Sequence, residues 1–352
     1  MDVKKDIRLL LVLRRFDSQF PNVLGGVISS SEELIYQARS QNILFEYVST
    51  NKSKYRFRWL SLPFILYEIS QKAFKSDHIA LNLNEIEIPY IGTYTVLLAR
   101  ILRKTVSLRV FAGNIDSVMA SRNFVERLAF SFVISNVDLR FFETKRLLKI
   151  YEDKAPTHQF PTSRSQTLYR GTRPFKGKFI YFGGVKKDKG VLMAKNAIGR
   201  LVDEGYSIDF WGALFDGLKP KDLDSHNSKY RGMIADGEVG KVLSGYDVLL
   251  LPSVWAGEGY PGVIVEAFAA GLPVIATDLP SFREMISDGE NGFLVRPNDL
   301  EHLVELIAKI RSLDYQKLSI NASKEYQNYC PVMLHKEYFE KINNLSKRHE
   351  EN

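Results

Sequence analysis

Residues 251–278 read Leu251-Pro-Ser-Val-Trp-Ala-Gly-Glu-Gly-Tyr-Pro-Gly-Val-Ile-Val-Glu-Ala-Phe-Ala-Ala-Gly-Leu-Pro-Val-Ile-Ala-Thr-Asp278, and this stretch decides the fold. An apolar run, Val248–Leu251, leads into it and a second, Val274–Thr277, nearly closes it. Short runs of that kind are what strands buried on both faces of a parallel sheet look like. Between them a loop rich in glycine and proline passes into a short helix that starts near Gly262 and stops at Gly271. The unpaired N–H groups at such a helix start form an anion site suited to a diphosphate. Gly259, Pro261 and Gly262 keep side chains away, so a ligand can approach the backbone from Gly259 through Tyr260 and Pro261 to Val263. Glu258 falls in the loop and Glu266 about one turn into the helix. One carboxylate can then face the sugar side of a bound diphosphate and the other the nucleoside side, each accepting from paired hydroxyls.

The same alternation of short apolar runs and longer amphipathic segments extends in both directions, which predicts α/β layers with parallel sheets. In the front half the expected strands are Ile7–Leu13, Ile43–Val48, Ile79–Leu83, Val106–Phe111 and Phe132–Val137. Helical segments are expected near 26–41, 59–74, 88–103, 119–130 and 141–150. A second series comes next, with strands Phe179–Phe182, Ile208–Trp211, Val248–Leu251, Val274–Thr277 and Phe293–Val295. Its helices are expected near 190–203, 238–244, 262–270, 281–287 and 299–313, and a last one near 333–346. Between the two series, residues 161–174 are polar, aperiodic and bounded by Pro161 and Pro174, which reads as a linker. The expected organisation is an N-terminal Rossmann-like domain over 1–165 and a C-terminal one over 166–331. A closing helix within 332–352 could cross back to the first domain. Two doubly wound sheets of this kind place a cleft at the carboxyl ends of their strands, where such sheets bind ligands.

At 352 residues, with 45% apolar and 25% charged residues, the chain has the composition of a soluble two-domain protein. No apolar run approaches the ~20 residues a membrane-spanning helix needs. Lys4 and Lys5 before Leu9–Leu13 resemble the start of a signal peptide, but Arg14 and Arg15 close the run, which reads instead as a first buried strand. One cysteine, Cys330, excludes an internal disulfide and a cysteine-rich metal site, which points to the cytoplasm. The net charge of +7 lies in the front: residues 1–160 hold 23 Lys+Arg against 16 Asp+Glu, and the rest holds 25 of each. A basic front half predicts an anionic partner. Arg56-Phe-Arg-Trp-Leu-Ser-Leu-Pro-Phe64, which interleaves cations with aromatics, and Lys145, Arg146 and Lys149 are the sequence features that favour a membrane surface. No nucleic-acid reader module is recognisable.

Three other stretches carry possible chemistry. Tyr181-Phe-Gly-Gly-Val-Lys-Lys-Asp-Lys-Gly190 passes from a strand into a helix and offers Gly183, Gly184 and Lys189 to an anion, although a lysine-rich surface turn has the same composition. Phe20-Pro-Asn-Val-Leu-Gly-Gly-Val27 places Gly25 and Gly26 between the first strand and the first helix, where a plain tight turn would also use them. After the fourth strand, Val110-Phe-Ala-Gly-Asn-Ile-Asp116 offers Asn114 and Asp116, which read first as turn residues. No His, Cys and carboxylate spacing suggests a metal, and neither a Walker loop nor a Gly-x-Ser-x-Gly elbow is present.

On these residues the chain resembles the family 4 retaining glycosyltransferases, enzymes of two Rossmann-like domains facing across a cleft (the GT-B architecture). The resemblance is dense over 245–297 and rests on Glu-x7-Glu, here Glu258 and Glu266, running into Glu-Ala-x-Ala-x-Gly-x-Pro-Val-Ile; Glu284 matches a further family glutamate. It implies that Glu258 lies by the donor sugar, that Glu266 lies by the ribose, and that Lys189 clamps the donor diphosphate. A Gly-Gly loop at Gly25 and Gly26 would approach the donor from the N-terminal side. Two positions depart from the family: Gly184 stands where an arginine is usual, and no histidine stands just after the fourth strand, where many relatives carry one. The resemblance further implies a nucleotide-sugar co-substrate with no metal or other cofactor, a lipid-linked or oligosaccharide acceptor, and a place in bacterial surface polysaccharide assembly at the cytoplasmic face of a membrane. A sugar-nucleotide epimerase of the same architecture, and a non-catalytic glycosyltransferase-like partner subunit, are the alternative readings.

Overall fold

The computed structural model describes residues 7–16, 26–54, 60–111, 113–153, 155–165, 171, 174–235, 237–255 and 257–350, leaving aside the side chains of 54 and 348–350. The chain divides into two compact units, Met1–Ser163 with Pro331–Asn352, and Arg164–Cys330.

The first unit is a six-stranded sheet of β1 (Leu9–Leu13), β2 (Phe45–Ser49), β3 (His78–Asn84), β4 (Thr105–Phe111), β5 (Leu139–Phe142) and β6 (Thr157–Gln159), in the order β2-β1-β3-β4-β5-β6. The pairings are parallel. Every residue of β1, β3, β4 and β5 is buried, as strands covered on both faces by crossover helices must be. The C-terminal helix Pro331–Glu350 belongs to this unit. Tyr338 lies 4.6 Å from the Phe141 ring and stacks on Phe160 at 4.9 Å, so a helix remote in sequence completes the core beside β5.

One expected element is overturned. Phe132–Val137 is not a strand but the end of a helix, Phe124–Asn136. Its buried residues, Phe130, Val133 and Ile134, keep helical spacing, and the Asn123 side chain caps the start by accepting from the Glu126 N–H at 2.9 Å. The fifth strand is Leu139–Phe142, so the next helix begins only at Lys145, with Thr144 as its cap. Further departures are additions. The strand Thr157–Gln159 ends the first sheet. Its residues Thr157, His158 and Gln159 are polar and half-buried, so it carries no apolar run.

The second unit has β7 (Lys178–Phe182), β8 (Ser207–Trp211), β9 (Ser228–Gly232), β10 (Val248–Leu251), β11 (Val274–Thr277) and β12 (Gly292–Val295) in the order β12-β11-β10-β7-β8-β9. Its strands also run parallel. The polar edge strand β9 and the helix Tyr315–Glu325 were not anticipated by hydrophobic pattern. β7 and β10 are neighbours, with Leu249 opposite Ile180. The chain winds away from this pair in opposite directions, so the loops after β7 and β10 emerge side by side at the topological switch point.

Candidate functional site

The two switch-point loops are pressed together. Gly190 has φ +73°, and a Cβ there would collide with the Pro252 carbonyl, so only glycine allows the approach. The Val254 N–H donates to the Asp188 carbonyl at 2.8 Å, which ties the loop after β10 to the loop after β7. Gly183, at φ +123°, lies against Val263 at the start of the helix Gly262–Ala269. Backbone glycines, a lysine and a helix start thus share one place.

Glu258 sits inside this contact, its side chain only 4% exposed. Its Oε1 accepts from the Ser253 hydroxyl at 2.9 Å and lies 3.2 Å from Lys189 Nζ. Its backbone carbonyl accepts from Ser281 Oγ at 2.9 Å. Lys189 Nζ is also 5.2 Å from the centre of the Trp255 ring, which shields it on one side. A nearly buried carboxylate needs such partners, because burying an ionised group unpaired costs several kcal/mol. Tyr260 is buried, and its hydroxyl donates to Glu284 Oε2 at 2.5 Å, so the third motif glutamate anchors the loop. Gly259 and Pro261 lie between Glu258 and the helix and are half-buried.

Glu266 is held differently. Its side chain is 17% exposed and lies 3.5 Å from Arg164 Nε. Burial raises its carboxyl to about 7, against the opposing pull of the Arg164 charge. The helix before it is capped by Pro261, which has no side-chain acceptor to offer the first amides. Arg164 lies over that start: a methyl group placed on Gly262 would come within 2.6 Å of the guanidinium carbon. Sequence reading missed Arg164, because it falls in the stretch taken as linker. The one available signal was that Phe160-Pro-Thr-Ser163 is less polar than the rest of that stretch, and these four residues are buried.

The structure therefore brings together Gly183, Gly190, Lys189, Glu258, Tyr260, Gly262, Val263 and Glu266. Gly184 is next to Gly183, and its carbonyl accepts from the Tyr181 hydroxyl at 2.9 Å. Of the two lysines close after Gly184, Lys186 stacks 4.8 Å over the Phe215 ring, while the backbone N–H of Lys187 donates to Asp216. In the first unit, Gly26 opens the helix Gly26–Ser40; Gly25 lies outside the described residues. Asn114 caps the short helix Ile115–Ala120 without a side-chain bond. Asp116 is engaged by Arg146, Nη1 to Oδ1 at 3.0 Å. Of the basic features expected to meet a membrane, residues 56–59 lie outside the described residues, and Arg146 is partly neutralised by Asp116.

Residues 176–312 match the family model described as glycosyl transferases group 1. An uncharacterized 41.2 kDa protein in the cps region of Klebsiella pneumoniae is 33% identical over 132 residues, covering 38% of this chain and 36% of that protein. A UDP-Gal:alpha-D-GlcNAc-diphosphoundecaprenol alpha-1,3-galactosyltransferase of Escherichia coli is 29% identical over 101 residues, 28% of this chain and 26% of the relative. The matched segments thus span little more than a third of these curated relatives' length at most. The fold extends further: the crystal structure of HepE from Anabaena in complex with UDP matches 96% of this chain and 100% of its own with a TM-score of 0.72, at 15% identity.

Proposed function

We propose that this chain, whose residues 176–312 form a group 1 glycosyl transferase domain, moves a sugar from a nucleoside diphosphate to an acceptor hydroxyl with retention at the anomeric carbon. The observation that carries the reading is the Lys189–Glu258 pair, set between two glycine loops and an uncapped helix start at the switch point. A leaving diphosphate gains charge as the C1–O bond breaks. Lys189 and the amides of Gly262 and Val263 would stabilise that charge. In this scheme the acceptor oxygen forms the new bond to C1, and its proton passes to the departing diphosphate. Glu258 lies toward the sugar and Glu266 toward the ribose. These fixed charges serve without a divalent ion, so activity should survive EDTA. The test is product formation from UDP- and GDP-sugars with lipid-linked or oligosaccharide acceptors, the anomeric configuration being read by proton NMR. Turnover of donor without acceptor into an epimeric sugar nucleotide would replace this reading with the epimerase one.

The acceptor named for the E. coli relative is lipid-linked, and we place this enzyme at the cytoplasmic face of an anionic membrane, attached from outside the bilayer. Among the described residues no helix is long and apolar enough to cross a membrane. Two neighbouring helices of the first unit, Thr93–Leu102 and Phe124–Asn136, leave Leu97, Ile101, Phe124, Val125 and Leu128 exposed, with Arg100, Arg103 and Arg127 exposed around them. Exposed apolar side chains and exposed arginines on the same two helices suit an anionic lipid surface, where each cation contributes roughly 1 kcal/mol. Binding to anionic vesicles that weakens with salt, and fails with Ile101→Ser/Val125→Ser, is expected. Sedimentation with neutral and anionic vesicles alike, at any salt, would reject the electrostatic part.

A further inference from the structure

Arg164 stands where electrostatics should not put a cation. Its guanidinium lies over the first residue of the helix Gly262–Ala269, the end at which aligned peptide dipoles already present about half a positive charge. Its partner Glu266 does not hold it closely: 3.5 Å is well beyond the ~2.7–2.9 Å of a charge-assisted hydrogen bond. The backbone, by contrast, is fixed. The Arg164 carbonyl accepts from the Tyr326 hydroxyl at 2.8 Å, and Thr162 and Ser163 just before it are buried. A cationic side chain on an anchored backbone and a helix start with no side-chain cap thus bring two positive groups together at one place. A diphosphate would supply the opposite charge to both.

We propose that Arg164 is a donor-binding residue: when a nucleoside diphosphate enters, the guanidinium turns from Glu266 to the diphosphate at the start of the helix Gly262–Ala269. The inference rests on the donor-site reading and adds to it the residue that supplies the second cation beside Lys189. The exchange also releases the Glu266 carboxylate to accept from ribose hydroxyls. Before the donor arrives, the same guanidinium offsets part of the cost of a carboxylate buried in that position. One arginine thus serves two partners in turn.

The experiment compares UDP and GDP with uridine and guanosine on the full chain, by calorimetric titration, for wild type, Arg164→Ala and Arg164→Lys. Arg164→Ala should weaken the better-bound diphosphate by about 10- to 150-fold. It should weaken the matching nucleoside far less, and Arg164→Lys should recover part of the loss. A second variant tests the charge independently of Arg164's packing. Gly184 is next to Gly183, which lies against Val263, and a Cβ at Gly184 would meet only the Phe215 ring and the Lys186 stem, at 3.6 Å or more. Gly184→Arg in the Arg164→Ala background should therefore restore diphosphate affinity. Equal losses for diphosphate and nucleoside would overturn the proposal and reduce Arg164 to a support for Glu266. Unchanged diphosphate affinity would overturn it as well. Wild-type protein that binds neither diphosphate would remove the donor-site reading itself.

Discussion

Glu258 and Glu266 belong to one motif, eight positions apart, yet the molecule holds them in opposite ways. The loop carboxylate is close to fully buried and is held by donors: a serine hydroxyl at 2.9 Å and a lysine at 3.2 Å. The helix carboxylate is somewhat more exposed, and its ion pair is longer, with Arg164 at 3.5 Å. Burial lifts it to about 7, so near neutral pH it is poised between its two protonation states. A carboxylate fixed by several donors is suited to a task at one position, such as orienting a sugar while a bond breaks. A carboxylate with a loose partner is suited to receiving a ligand, because a ribose can supply the hydrogen bonds that the protein leaves incomplete. On the proposed function, the difference would put turnover on the loop and affinity on the helix.

Lys189→Ala is the strongest way to break that division. On the proposed function, removing the ammonium takes away a charge beside the leaving diphosphate, and it leaves Glu258 with one partner fewer in a buried position. A loss on the order of 10²–10³ in kcat is expected, with a much smaller change in affinity for the free nucleoside diphosphate. Steady-state kinetics beside calorimetric titration measure both. A variant that keeps its kcat returns Lys189 to being a structural partner of Glu258.

On the helix, Glu266→Gln should act on binding instead. Losing charge-assisted acceptance from ribose hydroxyls costs roughly 1.5–3 kcal/mol, or about 10- to 150-fold in dissociation constant. The raised carboxyl adds a pH signature whose sign can be worked out. Below about 7 the free protein holds Glu266 protonated. A ligand that needs the ionised form must displace that proton, so affinity falls by up to tenfold for each unit below this value and is level above it. An intact nucleotide sugar is the right probe, since its diphosphate does not titrate in this range. Glu266→Gln should abolish the slope. A wild-type affinity that is flat from acid to neutral pH would place the ribose elsewhere.

How much of this was legible in sequence depends on where each residue's signal lies. β10 and β11 were read to the residue, because Val248–Leu251 and Val274–Thr277 are buried on both faces and their apolar runs begin and end with the strands. β6 and β9 were missed because Thr157–Gln159 and Ser228–Gly232 are polar, partly exposed strands with no such run. The run Phe132–Val137 misled because β-favouring residues sat in a helix whose packing was set by Phe130, Val133 and Ile134. In the site, Glu258 and Glu266 were singled out by the strand–loop–helix–strand stretch and Lys189 by the glycine loop after β7, with the family resemblance supplying their expected roles. Ser253 was read only as part of the Pro-Ser that opens the motif, with no role given, and Ser281 and Arg164 were not picked out, since what recruits them is proximity at the switch point.

The smallest expected effect lies with one of those residues and bears most finely on the comparison. Ser253 donates from its hydroxyl to Glu258 Oε1, and its oxygen is 3.3 Å from the Trp255 N–H that donates to it. Ser253→Ala removes a donor from a carboxylate that Lys189 still holds, so the charge stays paired and only its aim loosens. One hydrogen bond to a charged group with a second partner remaining is worth about 1.5 kcal/mol, roughly tenfold. That loss should appear in kcat, with affinity for the nucleoside diphosphate unchanged, because Glu266 and Arg164 are untouched. Ser253→Thr, which keeps the hydroxyl, should retain more of the rate than Ala. If Ser253→Ala instead weakens nucleotide binding as much as Glu266→Gln does, loop and helix form a single binding unit, and the division of labour between the two glutamates fails.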